Sequence, residues 1–384
     1  MDNETAEQAP PEVRQVAARF LPAAEAASLT IQKPPTIGFS GAAVWLLSPA
    51  DGSPRYVLKQ LPAGLPPDQI GWTHLLAQHL ARVGVSTQLP LRAGIHPLTQ
   101  AGHVAIDRQG RLWQCLSYLP GRPIATPTSA EVLAAVTTLA TVHRAASEFV
   151  QPPPLPRLTG WQTRVLQLEQ LAVAGFPRPP AEPAGQADGQ AAWPELASIS
   201  QRANECFFAM GGPQLAARLA AQTFPRPLQP VLRDCWWAHL LFEPAPGGSR
   251  VSGIIDLDAA GIDTPAVDLA RLLGSWQLEA GDPEISLVER WPAAFDCYVS
   301  LCRPAGDFPT DVQLLHDTAV VCGLDRWLHW LFREQRNFAD FSRVTCRIQA
   351  LLRALPAALA RLQRVSTAGC QLRRPQLTPQ NYDR

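Results

Sequence analysis

The stretch VLRDCWWAHLLFEPAPGGSRVSGIIDLDAAGIDTPAVDLARLL, residues 231–273, holds the residues best placed to do chemistry. Arg233-Asp234 ends one apolar run, His239 follows five residues later, and Asp256 ends a second apolar run. Between them PAPGGSR is a polar hairpin turn. Folded back, this segment brings two carboxylates and an imidazole into one pocket. Such a pocket is costly unless a cation fills it. Phosphoryl transfer uses that arrangement. One carboxylate orients or deprotonates the acceptor hydroxyl, and metal ions held by another offset the phosphate charge.

Lys59 is the next candidate. The chain has two lysines, Lys33 and Lys59, among 33 basic residues. Arginine serves elsewhere as the general surface cation, so a lysine inside the apolar strand RYVLKQL has a specific role to fill. A compact ammonium suits phosphate oxygens. Upstream, Gly38-Phe39-Ser40-Gly41 lies between two strand patterns. Its small residues let backbone N–H groups approach an anion.

The elements that position these residues follow from periodicity. A short amphipathic helix is expected over 10–20. Alternating segments over 36–61, 103–107 and 111–118 predict a small antiparallel sheet, and 68–83 a helix. After Pro120-Gly121 the pattern turns helical. The segment 129–149 is a helix with Ser129 as its N-cap, and 161–174 and 196–223 are helices. The Pro, Gly and Ala-rich stretch 175–195 is expected to be a flexible insert. Short strands return over 231–257, and helices run from 266. The tail 367–384 is expected to be loose. Residues 1–119, with a leading tail and helix over 1–24, form the predicted N-terminal lobe, and 120–366 the helical lobe.

The bulk numbers set limits. Apolar residues make up 46%, enough for a sizeable core. Basic and acidic residues balance at 33 each, which argues against a general nucleic-acid or membrane-surface binder. No apolar run reaches the roughly 18 residues of a membrane span. The polar, acidic start MDNETAEQAPPEV is unlike a signal peptide. These features predict a cytoplasmic chain. The eight cysteines include no Cys-x-x-Cys pair and read as reduced thiols. His143, His316, His329, Trp236 and Trp237 read as structural. Asp258 and Asp263 read as loop or capping residues. Residues 226–302 carry a net acidic charge that suits a cationic acceptor.

The segment resembles the phosphotransferase group that includes aminoglycoside phosphotransferases, choline kinases and homoserine kinase-like proteins. The matching residues are Ile255-Asp256-Leu257 and Asp263-Thr264-Pro265-Ala266-Val267-Asp268-Leu269-Ala270. The resemblance implies an α+β, bilobal, protein-kinase-like fold with a small antiparallel-sheet N-terminal lobe. It implies Asp234 as catalytic residue and Asp256 as principal metal ligand, joined by His239 in place of the family's Asn. Asp268 would brace the catalytic loop, with support from Arg233. Lys59, Gly38, Ser40 and Gly41 would hold phosphates, and the connector around Ser117 and Leu119 would bind the adenine. The implied cofactors are ATP, with GTP as an alternative, and Mg2+ or Mn2+. The implied partner is a small-molecule hydroxyl acceptor.

The chain departs from the family pattern in four places. Leu232 replaces the His before the catalytic Asp, Arg233 replaces a Gly, and His239 replaces the Asn. The helix over 68–83 contains no Glu to pair with Lys59. His74 and Gln78, one turn apart, are its candidates for that role. These departures leave a second expectation, a catalytically impaired pseudokinase that binds nucleotide or protein.

Overall fold

The computed structural model describes residues 9–34, 42–50, 52–94, 102–153, 158–180, 187–222, 226–338 and 340–371. In chain order the sheet elements are β1 (Thr30–Gln32), β2 (Val44–Ser48), β3 (Tyr56–Gln60), β4 (Ala105–Ile106) and β5 (Leu112–Ser117). Then come β6 (Gln229–Val231), β7 (Leu240–Ala245), β8 (Gly248–Ile254) and β9 (Gly261–Asp263). The first helices are α1 (Pro11–Ala17), α2 (Ala23–Ser28), α3 (Pro67–Arg82) and α4 (Ser129–Ser147). They are followed by α5 (Gly160–Ala174), α6 (Ala187–Ala209), α7 (Gly212–Ala220) and α8 (Ala266–Ala280). The last are α9 (Leu287–Arg290), α10 (Pro292–Cys302), α11 (Phe308–Phe332) and α12 (Phe341–Gln371).

The chain divides into two compact units. The first comprises residues 1–159, 226–279 and 291–308, and the second residues 160–225, 280–290 and 309–384. The expected lobe boundary at 119–120 falls inside the first unit. A backbone bond crosses it: Ile254 N donates to Ser86 O at 3.0 Å.

In the first unit β1–β5 form one antiparallel sheet in the order β1-β2-β3-β5-β4. Its core joins Trp45, Leu47, Leu58, Trp113 and Cys115 to Val16, Phe20 and Leu29 from the α1–α2 region. Lys59 on β3 is the register partner of Gln114 on β5. Paired residues share a face, so their side chains are neighbours. The hairpin β7–β8 and the pair β6·β9 are separate two-stranded ribbons. The cap of helix α4 lies one residue earlier than expected. Thr128, not Ser129, accepts from Glu131 N, while Glu131 Oε2 accepts from Thr128 N at 2.8 Å. The Glu three residues on makes this reciprocal capping box possible.

The second unit is helical. Gln167 donates to Cys322 O at 2.9 Å, tying α5 to α11. Arg361 on α12 reaches Asp317 on α11 at 2.9 Å and Pro283 O at 3.0 Å. Helix α6 begins at Ala187, inside the stretch expected to be a flexible insert, and runs through Pro194. Alanine-rich sequence favours the helix here more than one proline opposes it. Helix α12 reaches Gln371, so the first residues of the expected loose tail are helical. Among the described residues no helix is long and apolar enough to cross a membrane.

Candidate active site

Asp234 lies just after β6, on a loop that doubles back so that its N–H meets Leu232 O at 2.8 Å. The turn needs a left-handed residue, and Arg233 supplies it at φ +62°. A non-glycine residue there costs roughly 1–3 kcal/mol. The Arg233 side chain offsets that cost. Its Nη2 donates to Leu158 O and Ile262 O, both at 2.9 Å, and its Nε lies 3.3 Å from Asp263 Oδ2. Asp263 is fully buried, and it also caps Thr264 N at 2.8 Å.

Asp268, in the first turn of α8, braces the same loop. Its Oδ2 accepts from Leu232 N at 2.7 Å. The same oxygen lies 3.0 Å from His143 Nε2, and His143 Nδ1 lies 2.6 Å from the Tyr298 hydroxyl. Both residues are buried. His143 is thus a structural residue of the loop's support.

The Asp234 carboxylate, 42% exposed, takes Nε and Nη2 of Arg271 on Oδ1, each at 3.0 Å. The Arg271 guanidinium also lies 6.0 Å over the Trp236 ring. His239 closes a short 3-10 turn. Its Nδ1 lies 2.8 Å from Asp234 O, and its Nε2 accepts the Trp236 indole N–H at 2.8 Å. The two contacts together assign the ring proton to Nδ1. The same Nε2 is 3.7 Å from Asp256 Oδ2. The imidazole is therefore bonded to the Asp234 loop and stands beside Asp256 without a hydrogen bond to it.

Asp256 follows β8 in a left-handed conformation, φ +62°. Its Oδ1 is 2.7 Å from Lys59 Nζ, and Asp258 Oδ2 is 2.7 Å from the same nitrogen. Lys59 is 9% exposed. Burial alone would favour neutral Lys59, but the two carboxylates outweigh it and raise its pKa. Burial likewise opposes the Asp256 charge, and the Lys59 ammonium beside it outweighs that and lowers its pKa. The second carboxylate oxygen of Asp258, Oδ1, accepts from Gln114 Nε2 at 2.9 Å. Gln114 Oε1 lies 2.7 Å from His74 Nε2 on α3. Burial pushes the His74 pKa down. Gln69, five residues earlier on α3, donates to Ala260 O at 3.0 Å.

Comparisons with known proteins bear on what this group of residues serves. The Phosphotransferase enzyme family (APH) model matches residues 31–298. The chain belongs to this family. It is a small-molecule phosphotransferase by that membership. It is 24% identical over 272 residues to the homoserine kinase of Ralstonia nicotianae (strain ATCC BAA-1114 / GMI1000), covering 70% of this chain and 71% of that one. Among solved structures, spectinomycin phosphotransferase APH(9)-Ia in complex with ADP and spectinomycin has TM-score 0.58 at 11% identity. The match covers 86% of this chain and 93% of that one. Amicoumacin kinase hAmiN in complex with AMP-PNP, Ca2+ and Ami has TM-score 0.52 at 16% identity, covering 87% and 89%. They share the α+β, protein-kinase-like fold.

The family's remaining expected positions fall in two groups. Gly38, Ser40 and Gly41 lie outside the described residues. Ser117, in the connector, is engaged by neighbouring chain: its N donates to Leu89 O and its Oγ accepts from Leu89 N, both at 2.9 Å. Leu119 packs against Gly253, where an added Cβ would meet Leu119 Cδ1 at 2.7 Å.

The donor set can be weighed against a divalent cation. Among the described residues no three His, Cys, Asp or Glu side chains converge on one metal position. A phosphotransferase metal does not require that. Mg2+ is usually held by one or two carboxylates together with substrate phosphates and water. Asp256 fits that role. His239 becomes a second ligand only if Trp236 withdraws its N–H from Nε2.

Three residues at the site escaped the sequence reading. Asp258 read as a loop residue, yet it holds Lys59. Arg271 and Gln114 carry no motif of their own. The signal for Gln114 was its place opposite Lys59, which needs the β3–β5 register. The described cysteines are all free, and burial raises Cys115 and Cys322 to about 12, so those two are unreactive thiols.

Proposed function

We propose that the protein transfers the γ-phosphoryl group of ATP to a hydroxyl of a small molecule, with Mg2+ or Mn2+ bound alongside the nucleotide. The observation that carries this is the ion pair of buried Lys59 beside the Asp234 loop: Lys59 Nζ lies 2.7 Å from Asp256 Oδ1, and His239, bonded to Asp234 O, stands 3.7 Å from the same carboxylate. Asp234 receives the acceptor proton or orients the hydroxyl. Its Oδ1 is held by Arg271, which fixes the carboxylate's direction. Asp256, with His239 as second ligand, holds the cation. The bound cation would offset the negative charge that phosphoryl transfer gathers on the phosphate oxygens. Lys59 and the segment Gly38–Gly41 hold the phosphates, and the connector at Ser117 and Leu119 takes the base. In this reading residues 1–119 serve as the nucleotide lobe. GTP is the alternative donor. Both the spectinomycin phosphotransferase and the amicoumacin kinase were solved with an adenine nucleotide or its analogue, which supports ATP.

Thermal unfolding with ATP or GTP, each with Mg2+, Mn2+ or neither, tests the reading without knowledge of the acceptor. A ligand at 100 times its Kd adds about 2.7 kcal/mol of stability. A metal-dependent rise that Asp256→Ala abolishes is the expected result. Asp234→Asn should keep the rise and lose turnover by about a hundredfold or more in any acceptor screen. No rise with either nucleotide, or full turnover by Asp234→Asn, would overturn the proposal.

A further inference from the structure

Helix α3 has no Glu and carries one carboxylate, Asp68 in its first turn; the carboxylates 2.7 Å from Lys59 Nζ are Asp256 and Asp258. A line of one ion pair and two hydrogen bonds reaches Lys59 by another path. Lys59 Nζ is 2.7 Å from Asp258 Oδ2, Asp258 Oδ1 accepts from Gln114 Nε2 at 2.9 Å, and Gln114 Oε1 lies 2.7 Å from His74 Nε2.

The donor and acceptor rules leave one polarity for this line. Lys59 can only donate, and the Asp258 carboxylate accepts on both oxygens. Gln114 therefore turns its NH2 to Asp258 and its carbonyl to His74. His74 must donate through Nε2. Each member is fixed by another element: Lys59 by β3, Gln114 by β5, His74 by α3 and Asp258 by the loop after β8. Gln114 is 1% exposed and His74 4%, so water cannot readily replace either. Gln69 ties the same helix to Ala260, two residues beyond Asp258.

The two carboxylates on Lys59 are not equivalent. Asp256 has no side-chain amide behind it and lies beside His239, where a cation would draw it away. Asp258 is held from behind by Gln114.

We infer that Asp258, backed by Gln114 and His74, is the positioning residue that takes the place of the missing helix carboxylate and keeps Lys59 aimed at the phosphates. Its functional meaning rests on the nucleotide site proposed above. The clamp itself does not, and the two can be tested apart.

The chain's two lysines make this direct. The full-length protein is treated with an amine-acylating reagent at one neutral pH, and Lys59 and Lys33 peptides are quantified by mass spectrometry. Lys33 is the internal reference. Asp258→Asn and Gln114→Leu should each speed Lys59 acylation about fivefold or more, because a charge-assisted contact is lost or loosened. The Lys33 rate should not change. His74→Leu, one step further back, should give a smaller rise. Asp258→Glu should restore slow labelling in part. ATP affinity with Mg2+, measured on the same proteins, should weaken about tenfold in Asp258→Asn and recover in part in Asp258→Glu. An unchanged Lys59 rate in both Asp258→Asn and Gln114→Leu overturns the inference and leaves Asp256 as the sole holder of Lys59. So does an unchanged ATP affinity in Asp258→Asn. Faster labelling in those variants, with a wild type that binds no ATP, supports the clamp and overturns the nucleotide reading instead.

Discussion

Arg233 holds a conformation that favours glycine, and its side chain makes that tolerable. The backbone at φ +62° is strained for an arginine. The guanidinium gains two carbonyl contacts and lies 3.3 Å from buried Asp263. Removing the side chain while keeping a Cβ loses the anchors and keeps the strain. Arg233→Ala should therefore be the worse of two variants. Arg233→Gly loses the same contacts but relieves about 1 kcal/mol of backbone strain. The expected order of thermal midpoints is wild type, then Arg233→Gly, then Arg233→Ala. An Arg233→Ala protein as stable as wild type would show that the loop does not depend on the anchor. The same residue explains Gly261: a Cβ there would stand 3.1 Å from Arg233 Nε.

At the scale of elements, the connector after β5 depends on one glycine. Gly121 has φ +120°, and an added Cβ would lie 2.3 Å from Ser252 Oγ and 3.0 Å from Phe242 O. Ser252 Oγ donates to Pro120 O at 2.7 Å, and that bond would have to break. Gly121→Ala should cost about 1–3 kcal/mol, visible as a lower thermal midpoint. An unchanged midpoint would mean that the connector shifts freely. The sequence made this region readable in part. Alternation marked the strands, and the Pro120-Gly121 break marked the change to helices. The pattern around Asp234 and Asp256 put both at the ends of apolar runs, and they lie just past β6 and β8. What stayed hidden was contact across elements. Asp258 is two residues past Asp256 and looks like any loop aspartate, because its role depends on Gln114 facing it from β5. His74 was weighed only as a direct partner of Lys59. It acts through Gln114, since the β3–β5 register puts the amide between them. Trp236 read as packing. Its indole N–H also caps His239, a bond fixed by the 3-10 turn, which no periodicity announces.

For the whole molecule, the second unit carries a titratable group that the site does not use. His316 on α11 is buried. Desolvation, with Arg361, Arg164 and Arg347 adding repulsion, pushes its pKa down to about 3. In the unfolded chain a histidine titrates near 6.5. The depressed value fixes the sign. Above about pH 6.5 neither state binds the proton, and the contribution of His316 is fully present. As pH falls below 6.5 the unfolded chain takes up a proton that the folded chain refuses. Stability is then lost at up to about 1.4 kcal/mol per pH unit, until pH approaches the folded value. Asp317 next to it, raised to about 6 by burial, titrates in the same range with the opposite sign. The wild-type curve alone therefore cannot isolate His316. Comparison with His316→Leu can, because Asp317 and the other groups are common to both proteins. The wild type should lose about 2 kcal/mol relative to the variant between pH 6.5 and 4.5, read from chemical denaturation followed at each pH. Above pH 7 the difference should be constant. A difference that stays flat down to pH 4.5 would show that water or a shifted arginine reaches the imidazole, and that the α11 core is more open than its burial implies.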